Sequence, residues 1–195
     1  MSRVVFLLEE YSMKILLEGL LPRLVPELTF LCISHGGKHD LEKSIPRKLR
    51  AWREPRVRFV IIRDNDGGDC RLLKQQLLEL CKKGGRTDSL IRIPCQELEA
   101  WYFGQPEALE EAYPETNIKA ISRQAKYRNP DAIQRPSAKL ASLIPEFQKV
   151  MGARRMGKLL AIEGSRSQSF NVFVTGVRQI AADLAADATA ESGDD

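Results

Sequence analysis

The sequence predicts an α/β fold: a parallel sheet of about four strands with helices on both faces, followed by a helical C-terminal region. Three observations predict it. Short apolar runs rich in Val, Ile, Leu and Phe alternate with amphipathic segments of helical period through the first half of the chain. Those runs are continuous rather than alternating, as strands buried on both faces are. Beyond about residue 95 the strand-like runs stop and helical patterns follow one another.

Each element has its own warrant. "RVVFLLE" is the first strand, and "YSMKILLEGLLPRL" then sets Met13, Leu16, Leu17, Leu20 and Leu21 at helical spacing, with Ser12 near the start. "LTFLCIS" is the second strand. "HGGKHD" is a glycine turn, and Asp40 suits the N-cap of "LEKSIPRKLRAW". "VRFVII" is the third strand; the helix "DCRLLKQQLLELCKK" opens with Asp69 as its cap and ends at Gly84 and Gly85. "SLIRIPC" is the fourth strand. "QELEAWYFG", "PEALEEAY", "RPSAKLASLIPEF", "ARRMGKLLAIEG" and "SFNVFVTGVRQIAADLA" read as helices around a polar, loop-rich "KAISRQAKYRNPDAIQ". The expected organisation is an α/β core over 1–104, a helical region over 105–183 packed on it within one domain, and a disordered acidic tail over 184–195.

Composition narrows the function classes. With 43% hydrophobic and 29% charged residues, the 195-residue chain is that of a soluble globular protein. Lys+Arg 30 against Asp+Glu 26 leaves a formal charge of +4, which is compatible with a polyanionic partner without demanding one. His35 and His39 are too few for a transition-metal site, and no Walker loop is present, so no intrinsic ATPase is expected. Cys32, Cys70, Cys81 and Cys95 lack metal-finger spacing and read as free thiols, with Cys32 and Cys95 buried beside strands. No apolar run approaches membrane-spanning length and no signal-like segment opens the chain, so a cytoplasmic location is expected.

The acidic residues carry the functional signal. Glu9 and Glu10 follow the first strand, Asp64, Asp66 and Asp69 the third, and Glu97 and Glu99 the fourth. A parallel sheet would bring all three groups to one rim, where ligands of such sheets bind. Converging carboxylates repel one another unless a cation sits among them, and an oxygen-only set suits Mg²⁺ or Mn²⁺. Turn chemistry is the competing reading of D-x-D before two glycines. Glu97 and Glu99, two apart, cannot share a helix face.

Two of these stretches resemble a known signature. "FLLEE" and "IIRDNDGGD" resemble the motifs of the Toprim domain of topoisomerases, bacterial primases, small RNA-maturation nucleases and overcoming-lysogenization-defect nucleases. Glu9 takes the glutamate position and Asp64 and Asp66 the D-x-D positions. Glu10 departs from the pattern, which usually has glycine there. Over roughly residues 3 to 180 the chain is also similar to a bacterial family known as domain of unknown function 4276. "HGGKHDL", "RDNDGGDC", "IPCQELEAWYFG", "RPSAKL" and "SQSF" are its landmarks, in order.

The resemblance implies Mg²⁺-dependent (or Mn²⁺-dependent) hydrolysis of DNA or RNA. It implies Asp64 and Asp66 as metal ligands, Glu9 as base or ligand and Glu97 as a further ligand, with Glu99 and Glu10 in reserve. It further implies a place as effector of a phage-defence system whose ATPase is a separate chain; a homodimer is left open. Phosphate contacts are expected from Lys38 and His39 on the rim turn, and from Lys126, Arg128, Arg135 and Lys139 in the basic stretch carrying Tyr127. "WYF" at 101–103 reads as core. Two alternatives stay open: a catalytically weak Toprim-like binding or regulatory module, and metal-dependent phosphotransfer on a small nucleotide.

Overall fold

Four parallel strands, β1 (Arg3–Leu8), β2 (Phe30–Ser34), β3 (Val57–Ile62) and β4 (Leu90–Arg92), lie side by side in the order β2-β1-β3-β4. The computed structural model describes residues 2–192, except the side chains of 119 and 188–192. β1 and β3 are the central pair, with Leu8 opposite Ile62 and Arg3 opposite Val57. Their side chains are buried on both faces, which is why those runs are unbroken apolar sequence. Each such Val, Leu, Ile or Phe removed from water contributes about 1.5–3 kcal/mol before entropy is counted.

Helices cover the two faces unequally. Val5, Leu7, Phe59 and Ile61 pack under α2 (Lys38–Ala51) and α3 (Cys70–Lys83), through Leu41, Ile45, Leu49, Leu73 and Leu77. Val4, Phe6, Leu8, Val60 and Ile62 face the larger layer, which holds α1 (Tyr11–Leu24) and the helical second half. That half comprises α4 (Ala100–Phe103), α5 (Pro106–Ala112), α6 (Ile118–Ser122), two 3₁₀ turns at Ala125–Tyr127 and Pro130–Ala132, α7 (Pro136–Leu143), α8 (Lys149–Leu159) and α9 (Gln168–Ser192). Trp101, expected in the core, is fully buried and stacks on Phe173.

Several local expectations change. β4 is only three residues long. α2 begins at Lys38 with Gly37 as its cap; Asp40 sits one turn in and accepts from the Gly36 amide at 2.9 Å. Gly37 has φ 103, a left-handed conformation glycine enters at no steric cost, so the helix can start there. Asp69 caps α3 as expected, accepting from the Arg71 and Leu72 amides at 2.7 and 3.0 Å. α9 continues to Ser192, so the stretch from 184, expected to be disordered, is helical as far as 192; 193–195 lie outside the described residues. No helix among the described residues is long and apolar enough to cross a membrane.

One contact fixes α8 on α1. Gly19 and Gly157 face each other, and a Cβ on Gly157 would stand 2.6 Å from the Leu16 carbonyl oxygen. Helix propensity alone favours Gly157→Ala by about 1 kcal/mol. The backbone contact wins: the variant is expected to lose about 1–3 kcal/mol of stability in a denaturant titration. A more stable Gly157→Ala protein would show that this close approach is absent.

Candidate functional site

Glu9 leaves the sheet directly after β1, and Asp64 two residues after its central neighbour β3. Two backbone links lock them together: the Glu9 amide donates to the Ile62 carbonyl at 3.2 Å, and the Asp64 amide donates to Glu9 Oε2 at 3.1 Å. Asp64 is 4% exposed and its Oδ1 is buried with no hydrogen-bond partner. Glu99, just before α4, is fully buried, and neither of its oxygens has a hydrogen-bond partner. Buried carboxyl oxygens of this kind call for a proton or a cation.

Electrostatics joins these side chains into one cluster. Burial, and then the Glu99, Glu9 and Glu10 carboxylates, push Asp64 well above the usual carboxylate range. Burial pushes Glu99 up to about 7, against the pull of Lys149 and with Glu10 adding to the rise. Glu9 is also raised, chiefly by burial and further by Asp66, while its bond from the Asp64 amide acts in the opposite direction. Each acid thus favours the neutral form of the next.

Lys149 enters from the far side. It is the first residue of α8, and its Nζ lies 3.1 and 3.2 Å from the Glu10 oxygens and 3.9 Å from Glu99 Oε1. The last distance is attraction without a hydrogen bond. Burial lowers the pKa of Lys149, but Glu99 and Glu10 outweigh it and hold the ammonium above its ordinary value. Glu10 also accepts from Ser12 Oγ. The Tyr102 hydroxyl is buried beside these acids without a partner; burial, then Glu99, raise its pKa well above the ordinary value, so it stays an O–H donor.

The other expected residues are distributed around this cluster. Asp66 turns outward and pairs with Lys38 Nζ at 3.0 Å, both side chains 42% exposed. Glu97 accepts from the Ser137 amide at 2.8 Å and so anchors the start of α7. Of the two glutamates after β4, Glu99 is therefore the one in the buried cluster, and Glu97 is tied to backbone. Arg135 is the residue before α7, exposed, with Lys139 one turn on, so both stand on the helix that Glu97 anchors. His39 is exposed at the start of α2. Lys126 lies over the Tyr127 ring at 5.0 Å, and Tyr127 is stacked on Phe103; Arg128 is exposed next to it.

The connecting loops are conformationally costly. Asp66 has φ 49, Gln96 φ 70 and Arg135 φ 48, left-handed values that non-glycine residues adopt at a cost. The Asp66 amide donates to the Gln96 carbonyl at 3.0 Å, and Asn65 Oδ1 accepts from the Gln96 amide, so the loops after β3 and β4 are laced together. Three of the four left-handed non-glycine residues among those described thus lie in loops around the carboxylates; the fourth, Arg56, stands before β3 at the other end of the sheet.

The donor chemistry fits a hard divalent cation: Asp64, Glu99 and Glu9 offer only oxygen, and three of those oxygens are buried and unpartnered. No group of three or more His, Cys, Asp or Glu side chains is already arranged around a metal position among the described residues. A concavity of about 740 Å³ lies elsewhere, lined by Gln105, Glu107, Glu111, Arg123 and Arg166 among others, and takes in none of these carboxylates.

Lys149 and Tyr102 are the members the sequence did not announce. Lys149 follows a loop late in the chain with no motif around it, and Tyr102 sits in "WYF", which composition assigns to core. The model of a family described as a domain of unknown function (DUF4276) matches residues 8–178. No curated protein and no solved structure matches the chain.

Proposed function

We propose that this chain, which belongs to the DUF4276 family, is a Toprim-like, Mg²⁺-dependent nuclease hydrolysing phosphodiester bonds of DNA or RNA. The observation that carries the reading is the set of buried, unpartnered Asp64 and Glu99 oxygens beside Glu9, just beyond the carboxyl ends of three parallel strands. Asp64, Glu99 and Glu9 would hold the ion. When bound, such an ion polarises a phosphate and makes a coordinated water more acidic.

The chain's own residues supply the rest. Glu9 has one oxygen held by the Asp64 amide, which orients the carboxylate and leaves the other oxygen to accept a proton from an attacking water. Lys149 balances part of the negative charge that Glu10 and Glu99 bring. Asp66 orients Lys38, and Lys38 with Arg135 and Lys139 would contact phosphates beside the rim, with His39, Lys126 and Arg128 extending that contact. The resemblance to overcoming-lysogenization-defect nucleases supports a role as phage-defence effector served by a separate ATPase chain.

The test is incubation of the purified protein with plasmid, single-stranded DNA and RNA in Mg²⁺, Mn²⁺ or EDTA, beside an Asp64→Ala/Asp66→Ala variant. Cleavage of at least one substrate is expected with Mg²⁺ or Mn²⁺ and none with EDTA or the double variant. Cleavage that persists in EDTA sinks the metal-dependent reading.

One observation favours a second reading, a catalytically weak Toprim-like binding or regulatory module. Lys149 already places a cation against Glu10 and Glu99, and the metal cage is not preassembled. Calorimetric titration with Mn²⁺ separates the two: heat of binding that disappears in Asp64→Ala supports the nuclease, and no binding supports the module.

A further inference from the structure

Cys70 and Cys95 are 25 positions apart in the chain, yet their sulfurs are 3.6 Å from each other. Cys70 is the first residue of α3, directly after the loop that carries Asp64 and Asp66. Cys95 lies on the loop that leads from β4 to Glu97 and Glu99. Both are partly exposed, whereas Cys32 and Cys81 are buried on opposite faces of the sheet. A small oxidant therefore reaches this pair and no other.

We propose that Cys70 and Cys95 form an oxidative modification site, a dithiol that closes to a disulfide and staples the two carboxylate-bearing loops together. A disulfide needs the sulfurs at about 2.05 Å, so closure requires a movement of roughly 1.5 Å, within reach of small side-chain rotations. Asn65 prepares the geometry. Its Nδ2 donates to Cys70 Sγ at 3.1 Å and to the Gly68 carbonyl at 2.8 Å, while its Oδ1 accepts from the Gln96 amide. The loops are thus already held in register before any covalent bond forms.

The oxidant is a peroxide. Cys70, whose sulfur is held in place by the Asn65 N–H, is assigned as the first sulfur to react. Cys70 sulfur attacks one peroxide oxygen, the O–O bond breaks, and the second oxygen leaves as water, giving a sulfenic acid. Cys95 sulfur then attacks Cys70 sulfur, the S–O bond breaks and a second water leaves. Two thiols lose two electrons and two protons, and one hydrogen peroxide becomes two waters.

The test treats the full chain with hydrogen peroxide and maps disulfides by non-reducing peptide mass spectrometry, with no assay of nuclease activity. A Cys70–Cys95 cross-link is expected, with Cys32 and Cys81 still reduced. The melting temperature is expected to rise by roughly 7–14 °C, as closure of a loop of this length predicts. Dithiothreitol reverses the shift, and Cys70→Ser and Cys95→Ser each abolish it while melting like the reduced protein. A sulfinic acid at either position without a cross-link, a bridge that involves Cys32 or Cys81, or a cross-link that lowers the melting temperature overturns the proposal.

Discussion

Replacing Asp64 by asparagine is expected to lower metal-dependent cleavage on the order of 10³-fold, the loss that follows removal of one preorganised group from a reaction centre. The same substitution is expected to raise the melting temperature in the absence of divalent cation, because it removes a buried carboxyl with an unpartnered oxygen. Activity and stability would thus move in opposite directions, the signature of a residue kept for function. Asp66→Ala should behave differently. Its side chain is half exposed and acts through Lys38, so a loss of about 10-fold is expected, mainly in substrate binding. Cleavage rates of the two variants on the substrate that is cut, beside their thermal melts, make the comparison. Equal losses from the two would show that D-x-D works as a unit and that the burial of Asp64 carries no special role.

Stability without divalent cation is expected to fall as pH rises from about 4.5 to 7. The sign follows from burial: Glu99 is raised from its ordinary 4.5 to about 7, so the folded state holds a proton that the unfolded chain has released. The protonated form is favoured by folding, and its contribution disappears as pH passes through the folded value. For a fully buried group this is on the order of 3 kcal/mol. Asp64 and Glu9 are raised too, and add in the same direction. Lys149 is charged in both states across this window and adds no slope; its raised value matters only at higher pH. Glu99→Gln keeps the shape and removes the titration. Denaturant titrations at pH 5 and 8 are expected to show a wild type weaker at pH 8 and a Glu99→Gln variant with a smaller slope, the remainder coming from Asp64 and Glu9. Mg²⁺ should restore the wild type at pH 8 far more than the variant, since the ion binds only the folded carboxylate cluster. A wild type that is more stable at pH 8 than at pH 5 in EDTA would contradict the burial of ionisable Glu99.

The sheet was legible in the sequence because burial on two faces leaves continuous runs such as Val57–Ile62, and the intervening segments carry helical period. Glu9 and Asp64 were legible for the same reason: parallel strands send their carboxyl ends to one rim, so position in the chain gives position in space. Asp69 was legible as a cap because that hydrogen bond is local. Whatever depends on contacts across the chain was not. Glu97 and Glu99 are chemically alike and two residues apart; only the docking of α7 on the Glu97 carboxylate leaves Glu99 in the buried cluster. Asp64 and Asp66 share one motif, and only the left-handed turn at Asp66, tied to Gln96, points one inward and the other toward Lys38. Lys149 reaches the carboxylates because Gly19 and Gly157 let α8 lie against α1, a fit between segments far apart in sequence. The sequence by itself determined which strand ends bear the acids. The tertiary structure decided which acids lose their water, because burial and long-range backbone contacts arise only when distant segments pack.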